Sequence, residues 1–227
     1  MSIASNLTEI KEKLSPQTTL VAVSKTKPAS AILEAYQAGQ RDFGENYIQE
    51  LQEKQPQLPA DIRWHFIGHL QSNKVKYIAP YIYLIHGVDS LKLLSEINKQ
   101  ALKNHRIINC LLQVYIATEE SKFGLYPQEV RELLNNREFK ELNNIKIVGL
   151  MGMASFTRDE TLLKKEFGVI KNLFDELGSE FGGEESEGKI EMNILSMGMS
   201  SDYSLAIASG STMVRIGSSI FGERNYN

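Results

Sequence analysis

One lysine, one arginine and two loops of glycine and serine carry the chemistry available to this chain. Lys25 stands in SKTKP, as the last residue of the apolar, β-branched run that begins at Thr19. A lysine at the end of a buried strand is unusual, because an ammonium is costly to bury without a partner. Burial favours the neutral amine, a nucleophile able to form a Schiff base with an aldehyde or ketone. The plainer alternative is a lysine whose head reaches solvent at a rim. Lys27, two residues on, falls in the loop and reads as solvated. In SMGMSSD, Gly198 lets backbone approach a ligand closely, and Ser200 and Ser201 offer hydroxyls at a helix start. Gly217 and Ser218 of RIGSS offer the same. Either loop alone reads as a turn; the two together favour a phosphate. Arg215 lies between Val214 and Ile216 in the last apolar run, so its side chain points away from theirs. An inward arginine needs an acceptor.

A lysine, an anion-binding loop pair and an inward arginine together describe a site for pyridoxal 5′-phosphate (PLP). Lys25 would take the aldehyde carbon, the loops the phosphate, and Arg215 the pyridine nitrogen. The permanent charge of the guanidinium would keep that nitrogen unprotonated. An unprotonated ring is a weak electron sink, so carbanion chemistry would be poorly supported. Other candidates are weaker. His65 and His69 are four apart, but Gly68 and a strand context deny them the helical face of a zinc site, and no metal is expected. Trp64, Phe66 and Ile67 read as core. Asp42 and Glu45 could supply acid–base groups, although a capped helix start is the plainer reading. Cys110, the one cysteine, sits in the apolar run 107–116 as a buried, inert thiol, and rules out a disulfide framework. The sequence has no P-loop, dinucleotide fingerprint or nucleophile elbow.

The elements that must position these groups alternate regularly. Ile3, Leu7, Ile10 and Leu14 recur at helical spacing and predict an amphipathic first helix. Eight strand-then-helix units follow. The strands are TLVAV, RDFGEN, IRWHFIG, YIYLIHGVD, IINCLLQVYI, IKIVGLMGM, IEMNILSMG and MVRIGSSIFG. The helices between them run from Pro28 to Gly39, from Tyr47 to Lys54, and over 71–78. Further helices run from Ser90, a good N-cap, to Leu102, then over 127–135, 159–177 and 202–208. GSEFGGEESEGK reads as a polar loop with no role. Eight such units in one chain predict an α/β protein: a single (β/α)8 TIM barrel over 1–227 with an extra N-terminal helix. A doubly wound sheet is the alternative, but it usually needs fewer strands. In a barrel of this kind the working residues lie at the carboxyl ends of the strands, and the last two loops hold phosphate.

Composition bounds the function classes. The 227 residues carry 25 Lys+Arg against 28 Asp+Glu, a formal charge of −3 that is too near neutral for a nucleic-acid binder. No apolar run approaches the roughly 18–20 residues of a membrane span, and the start lacks the order of a secretion signal. A cytoplasmic protein is expected.

The motifs AVSKTKP, FGENYIQE, WHFIGHLQSNK, GLM and LSMGMSSDYSLAIASGSTMVRIGSSIFG resemble the pyridoxal phosphate homeostasis proteins, over about Leu20 to Arg224. The resemblance implies a monomeric barrel of PLP fold type III, similar to the amino-terminal domain of bacterial alanine racemase. It implies PLP on Lys25, phosphate-binding positions at Ser196, Ser200, Gly217 and Ser218, and Arg215 on the pyridine nitrogen. Asn46 and Met153 would lie beside the ring. It also implies no catalytic turnover and no catalytic residues. Such proteins hold or deliver the cofactor, with apo-PLP enzymes as recipients, and so influence vitamin B6 and the balance of amino and keto acids. In the racemase a tyrosine from the other domain and subunit supplies a second base, and this chain ends before such a domain would begin. The sequence departs from the family at Tyr115 (usually asparagine), at Phe123 (usually small or polar), and at Gly152 and Met153 (usually a bulkier pair). Two alternatives stand beside the binding protein: a small racemase-like enzyme, and a phosphosugar barrel with a Schiff-base lysine.

Overall fold

The computed structural model describes residues 2–118, 123–181 and 188–223. Eight parallel strands pair in chain order and close on themselves as a barrel: β1 (Thr19–Val23), β2 (Asp42–Glu45), β3 (Arg63–Phe66), β4 (Leu84–Val88), β5 (Ile108–Val114), β6 (Ile145–Gly152), β7 (Ile190–Ser196) and β8 (Met213–Ile216). The helices are α1 (Ile3–Glu12), α2 (Ala29–Gln37), α3 (Ile48–Lys54), α4 (Leu91–Lys103), α5 (Pro127–Asn135), α6 (Arg137–Lys140), α7 (Glu160–Phe181), α8 (Tyr203–Ala208) and α9 (Ser218–Phe221). α1 is the extra helix before the barrel, capped by the Ser2 hydroxyl, which accepts from the Ser5 N–H. Among the described residues no helix is long and apolar enough to cross a membrane.

Strand alternation sorts the side chains into two cores. Leu20, Ala22, Trp64, Phe66, Val214 and Ile216 point outward and pack under the helices. Val21, Leu84, Leu111, Val148, Met151 and Met213 form the separate cluster inside the barrel. Val21 is the register partner of Arg215, and register partners on parallel strands share a face, so Arg215 also points inward. β6 shifts register between Ile147 and Gly149, where the backbone of Ile194 comes in close. Gly149 has φ 149°, and a Cβ there would stand 1.8 Å from Ile194 O, so only glycine fits.

Several boundaries differ from expectation. β1 ends at Val23 rather than Lys25, although Ser24 N–H still donates to Gly44 O as though the ladder continued. The segment 71–78 is not an α-helix: Ser72–Tyr77 is a 3₁₀ helix. β8 stops at Ile216, and Ser218–Phe221 turns into α9. α7 begins after Asp159, whose carboxylate accepts from the Thr161 and Leu162 N–H groups. It runs on to Phe181, so Gly178–Phe181 of the expected polar loop are helical; 182–187 of that loop lie outside the described residues. Phe181 packs on the core, and that contact outweighs the break glycine would suggest.

Candidate functional site

The carboxyl mouth of the barrel holds a cavity of about 460 Å³. Lys25, Asn46, Met153, Ser200, Arg215, Gly217 and Ser218 all line it, with Lys27 and Phe156 at its edge. Seven residues drawn from five different strand ends thus meet in one place. Ser196 does not line the cavity. It is fully buried at the end of β7, where its backbone oxygen and its hydroxyl oxygen both accept from Arg215 Nη1, at 2.9 and 2.6 Å. Its place is beneath Arg215, not at the cavity wall.

Arg215 is only 5% exposed. Besides its two bonds to Ser196, its Nη2 donates to Gly152 O at 3.0 Å. These acceptors are neutral, and burial lowers the guanidinium pKa to about 10, with the more distant Asp202 charge opposing. Three of its five N–H groups are engaged. Among the described residues nothing accepts from Nε–H or from the second Nη2 hydrogen. A buried cation with two unused donors borders the cavity.

Lys25 sits on a turn held by Ser24, Glu45, Glu50 and Lys54. Behind it, Lys54 donates to Glu45 (2.8 Å), to Glu50 (2.6 Å) and to Ser24 O (3.0 Å). Ser24 Oγ also donates to Glu45, at 2.7 Å, and Glu50 accepts from the Thr26 N–H at 2.7 Å. Thr26 has φ 65°, unusual for a β-branched residue, and this cluster holds it there. Glu45 is therefore not a helix cap but a fully buried carboxylate under the lysine turn. Burial raises its pKa against the pull of Lys54 and Ser24. Only the lysine at helical spacing from Glu50, on a face turned toward the strands, could have signalled this cluster.

Asn46 is placed by a close backbone approach: a Cβ on Gly68 would stand 2.3 Å from Asn46 O. Its Oδ1 is buried with no hydrogen-bond partner among the described residues. Ser200 Oγ accepts from the Gly217 N–H at 3.3 Å, which ties the two loops together. Asp202 Oδ1 accepts from Met199 N–H at 2.6 Å and fixes the turn before α8.

The remaining candidates lie elsewhere. Asp42 is not a cap either: it is buried at the start of β2, bonded to Arg63 and to His65 Nε2. His65 is buried inside the barrel, while His69 is half-exposed and stacked on Phe123, so the two do not share a site. Ile67 is not core but lines the mouth cavity. Cys110 is fully buried, and burial pushes its thiol pKa up. Tyr115 packs edge-on against Tyr126, and exposed Phe123 lies beside His69.

Residues 1–225 match the family described as alanine racemase, N-terminal domain, which sets the class of this barrel. Within that class, the chain belongs to the pyridoxal phosphate homeostasis proteins. It is 39% identical to the protein of that name from Escherichia coli over 239 residues, covering 99% of this chain and 98% of that one. The Aquifex aeolicus protein of the same name is 39% identical over 208 residues, covering 91% and 87%. PipY of Synechococcus elongatus, solved with PLP bound, superposes with a TM-score of 0.86 at 36% identity, over 97% of this chain and 100% of that one. An alanine racemase of Clostridium difficile shares the fold alone, with a TM-score of 0.78 at 16% identity, and this chain spans 58% of its length.

Proposed function

We propose that this chain binds pyridoxal 5′-phosphate at the carboxyl mouth of its barrel, covalently through Lys25, and holds and delivers it rather than turning over a substrate. Arg215 carries the reading. A fully charged guanidinium with two unused donors beside a cavity calls for an acceptor on a ligand, and an unprotonated pyridine nitrogen is one. Two further features support the fit. Asn46 Oδ1 is a buried acceptor lacking a donor, suited to a hydroxyl at the ring edge. Gly217 is closely packed, since a Cβ there would stand 3.2 Å from Val23 O, and its loop opens α9. The first turn of a helix leaves backbone N–H groups without internal partners, so Ser218 and Ser219 have donors for a phosphate.

When bound, PLP supplies an aldehyde that links to amines and a ring that withdraws electrons. The chain's own residues set how far that chemistry runs. Lys25 offers the amine, held on its turn by Glu45, Glu50 and Lys54. Arg215 donates to the ring nitrogen without protonating it, which leaves the ring a weak electron sink. Ser200 and Ser218 would hold the phosphate beside the Gly217 backbone, and Met153 would lie beside the ring. Ser196 keeps Arg215 in place.

The homeostasis naming of the relatives supports a holding role, and apo forms of PLP-dependent enzymes are the proposed recipients. The barrel shared with alanine racemase favours the second reading, a racemase-like enzyme. Two assays on the loaded full-length protein separate them. Mixed with an apo PLP enzyme, it should restore that enzyme's activity as cofactor is transferred, and cofactor that never exchanges contradicts delivery. Incubated in D₂O with each common amino acid, it should leave the α-proton signal unchanged. Exchange that disappears in Lys25→Ala would establish the enzyme instead.

A further inference from the structure

Five buried polar residues run in a line through the barrel interior, and the site as described uses only the two nearest the mouth. Arg215 Nη1 lies 2.6 Å from Ser196 Oγ. Ser196 Oγ is 3.3 Å from His86 Nδ1, and His86 Nε2 is 2.9 Å from His65 Nδ1. His65 Nε2 is 3.0 Å from Asp42 Oδ1. The line passes from β8 through β7, β4 and β3 to β2. Both histidines and Ser196 are fully buried.

The protons along this line can be assigned from its ends. Arg215 has only donors, so Ser196 Oγ accepts from it. Asp42, paired with Arg63, accepts only, so His65 Nε2 carries a hydrogen. Burial disfavours a charged imidazole at either histidine, against the pull of Asp42 on His65. A neutral His65 protonated on Nε2 has a bare Nδ1, which must accept from His86 Nε2–H. A neutral His86 protonated on Nε2 then has a bare Nδ1, which accepts the Ser196 hydroxyl hydrogen. Every link is filled and every bond points from Arg215 toward Asp42. Reversing His86 alone would set two bare nitrogens face to face at 2.9 Å and give Ser196 a donor where it needs an acceptor.

We infer that Asp42, His65, His86 and Ser196 form a one-way hydrogen-bond chain that positions Arg215, so that its remaining donors face the ligand. The inference rests on the proposed cofactor reading for its function, but not for its geometry. The chain gives a buried cation a polarised set of neutral partners in place of a contacting carboxylate. It commits the Ser196 hydrogen to His86, so Ser196 does not donate to a phosphate. It also fixes the Ser196 lone pair on Nη1, which prevents the guanidinium from turning away from the cavity.

The test begins with long-range ¹H–¹⁵N correlation of the histidines in the full-length protein, with and without PLP. Both His65 and His86 should be neutral with the hydrogen on Nε2; an imidazolium or an Nδ1–H form at either overturns the chain. Ser196→Ala removes one oxygen and is then compared with the unaltered protein. His86 should keep its hydrogen on Nε2, held there by His65, while its Nδ1 signal moves as it loses the Ser196 hydrogen; PLP should bind about tenfold more weakly, and the absorption band of the bound cofactor should move. An unchanged His86 spectrum, or affinity within twofold with an unmoved band, overturns the positioning role. If Ser196→Ala does not fold, the tautomers of the unaltered protein still decide. Absence of any PLP uptake by the unaltered protein refutes the cofactor reading while leaving the tautomer result to stand or fall separately.

Discussion

Replacing Arg63 with methionine tests how the far end of the barrel interior is held. Asp42 is 7% exposed, and burial alone would raise its pKa. The hydrogen bonds from Arg63 and His65, together with the Arg63 charge, outweigh burial and bring it from the usual 3.8 to about 2. A carboxylate whose folded pKa lies below its unfolded value stabilises the fold above the unfolded pKa, and that contribution disappears as pH falls through the folded one. The shift corresponds to about 2 kcal/mol, present at neutral pH and lost between about pH 4 and about pH 2. Without Arg63, whose hydrogen bond is the largest of the effects that lower the pKa, burial dominates and Asp42 becomes a cost. Arg63→Met should therefore destabilise the protein by about 2–4 kcal/mol at pH 7. The gap should shrink below about 1 kcal/mol near pH 2, where Asp42 is about half protonated in the unaltered protein and fully protonated in the variant. Urea denaturation at several pH values measures it, followed by the fluorescence of Trp64, the one tryptophan, which is buried on the same strand. A constant offset between the two proteins at every pH, or equal stability at pH 7, refutes the argument.

Three further outcomes follow from the same geometry. Gly149→Ala should cost more than about 3 kcal/mol in urea denaturation, because backbone rather than a mobile side chain stands 1.8 Å from the new Cβ; a cost under about 1 kcal/mol would mean β6 and β7 can separate there. Cys110 should resist thiol reagents in the folded protein and react at once in urea, and rapid labelling of the native state would contradict its burial. Glu50→Ala frees the Thr26 N–H and one Lys54 bond, so trypsin should cut after Lys25 faster than in the unaltered protein; equal cleavage rates would show that the turn is held by other contacts.

Much of this fold is legible in the sequence because parallel barrel strands are largely apolar on two faces and several of them stop at glycine, serine or asparagine. All eight strands lie within the segments that their apolar runs marked. The ends were less legible. Lys25 reads as the last residue of β1 because the pattern continues, but the turn begins at Ser24, drawn by bonds from Lys54 and Lys27 that no local pattern reveals. Ser72–Tyr77 has the length of a helix and forms 3₁₀ turns instead, lying against α4 and α3. The mouth residues were legible because motif and strand end coincide there. Asp42, Glu45, His65 and His86 were not, because a buried polar residue and an exposed one look alike until the strand's inner face is known. At His86 the strand pairing is irregular between Ile85 and Val88, which no local pattern reveals.

The most direct test of the central claim is the absorption spectrum of the purified protein mixed with PLP, followed by borohydride reduction and peptide mapping. A visible band whose reduction fixes a pyridoxyl mass on the peptide containing Lys25, and which Lys25→Ala abolishes while the circular dichroism stays unchanged, is the result expected. A protein that forms no band, or that carries the pyridoxyl mass on other lysines while Lys25 stays unmodified, contradicts it.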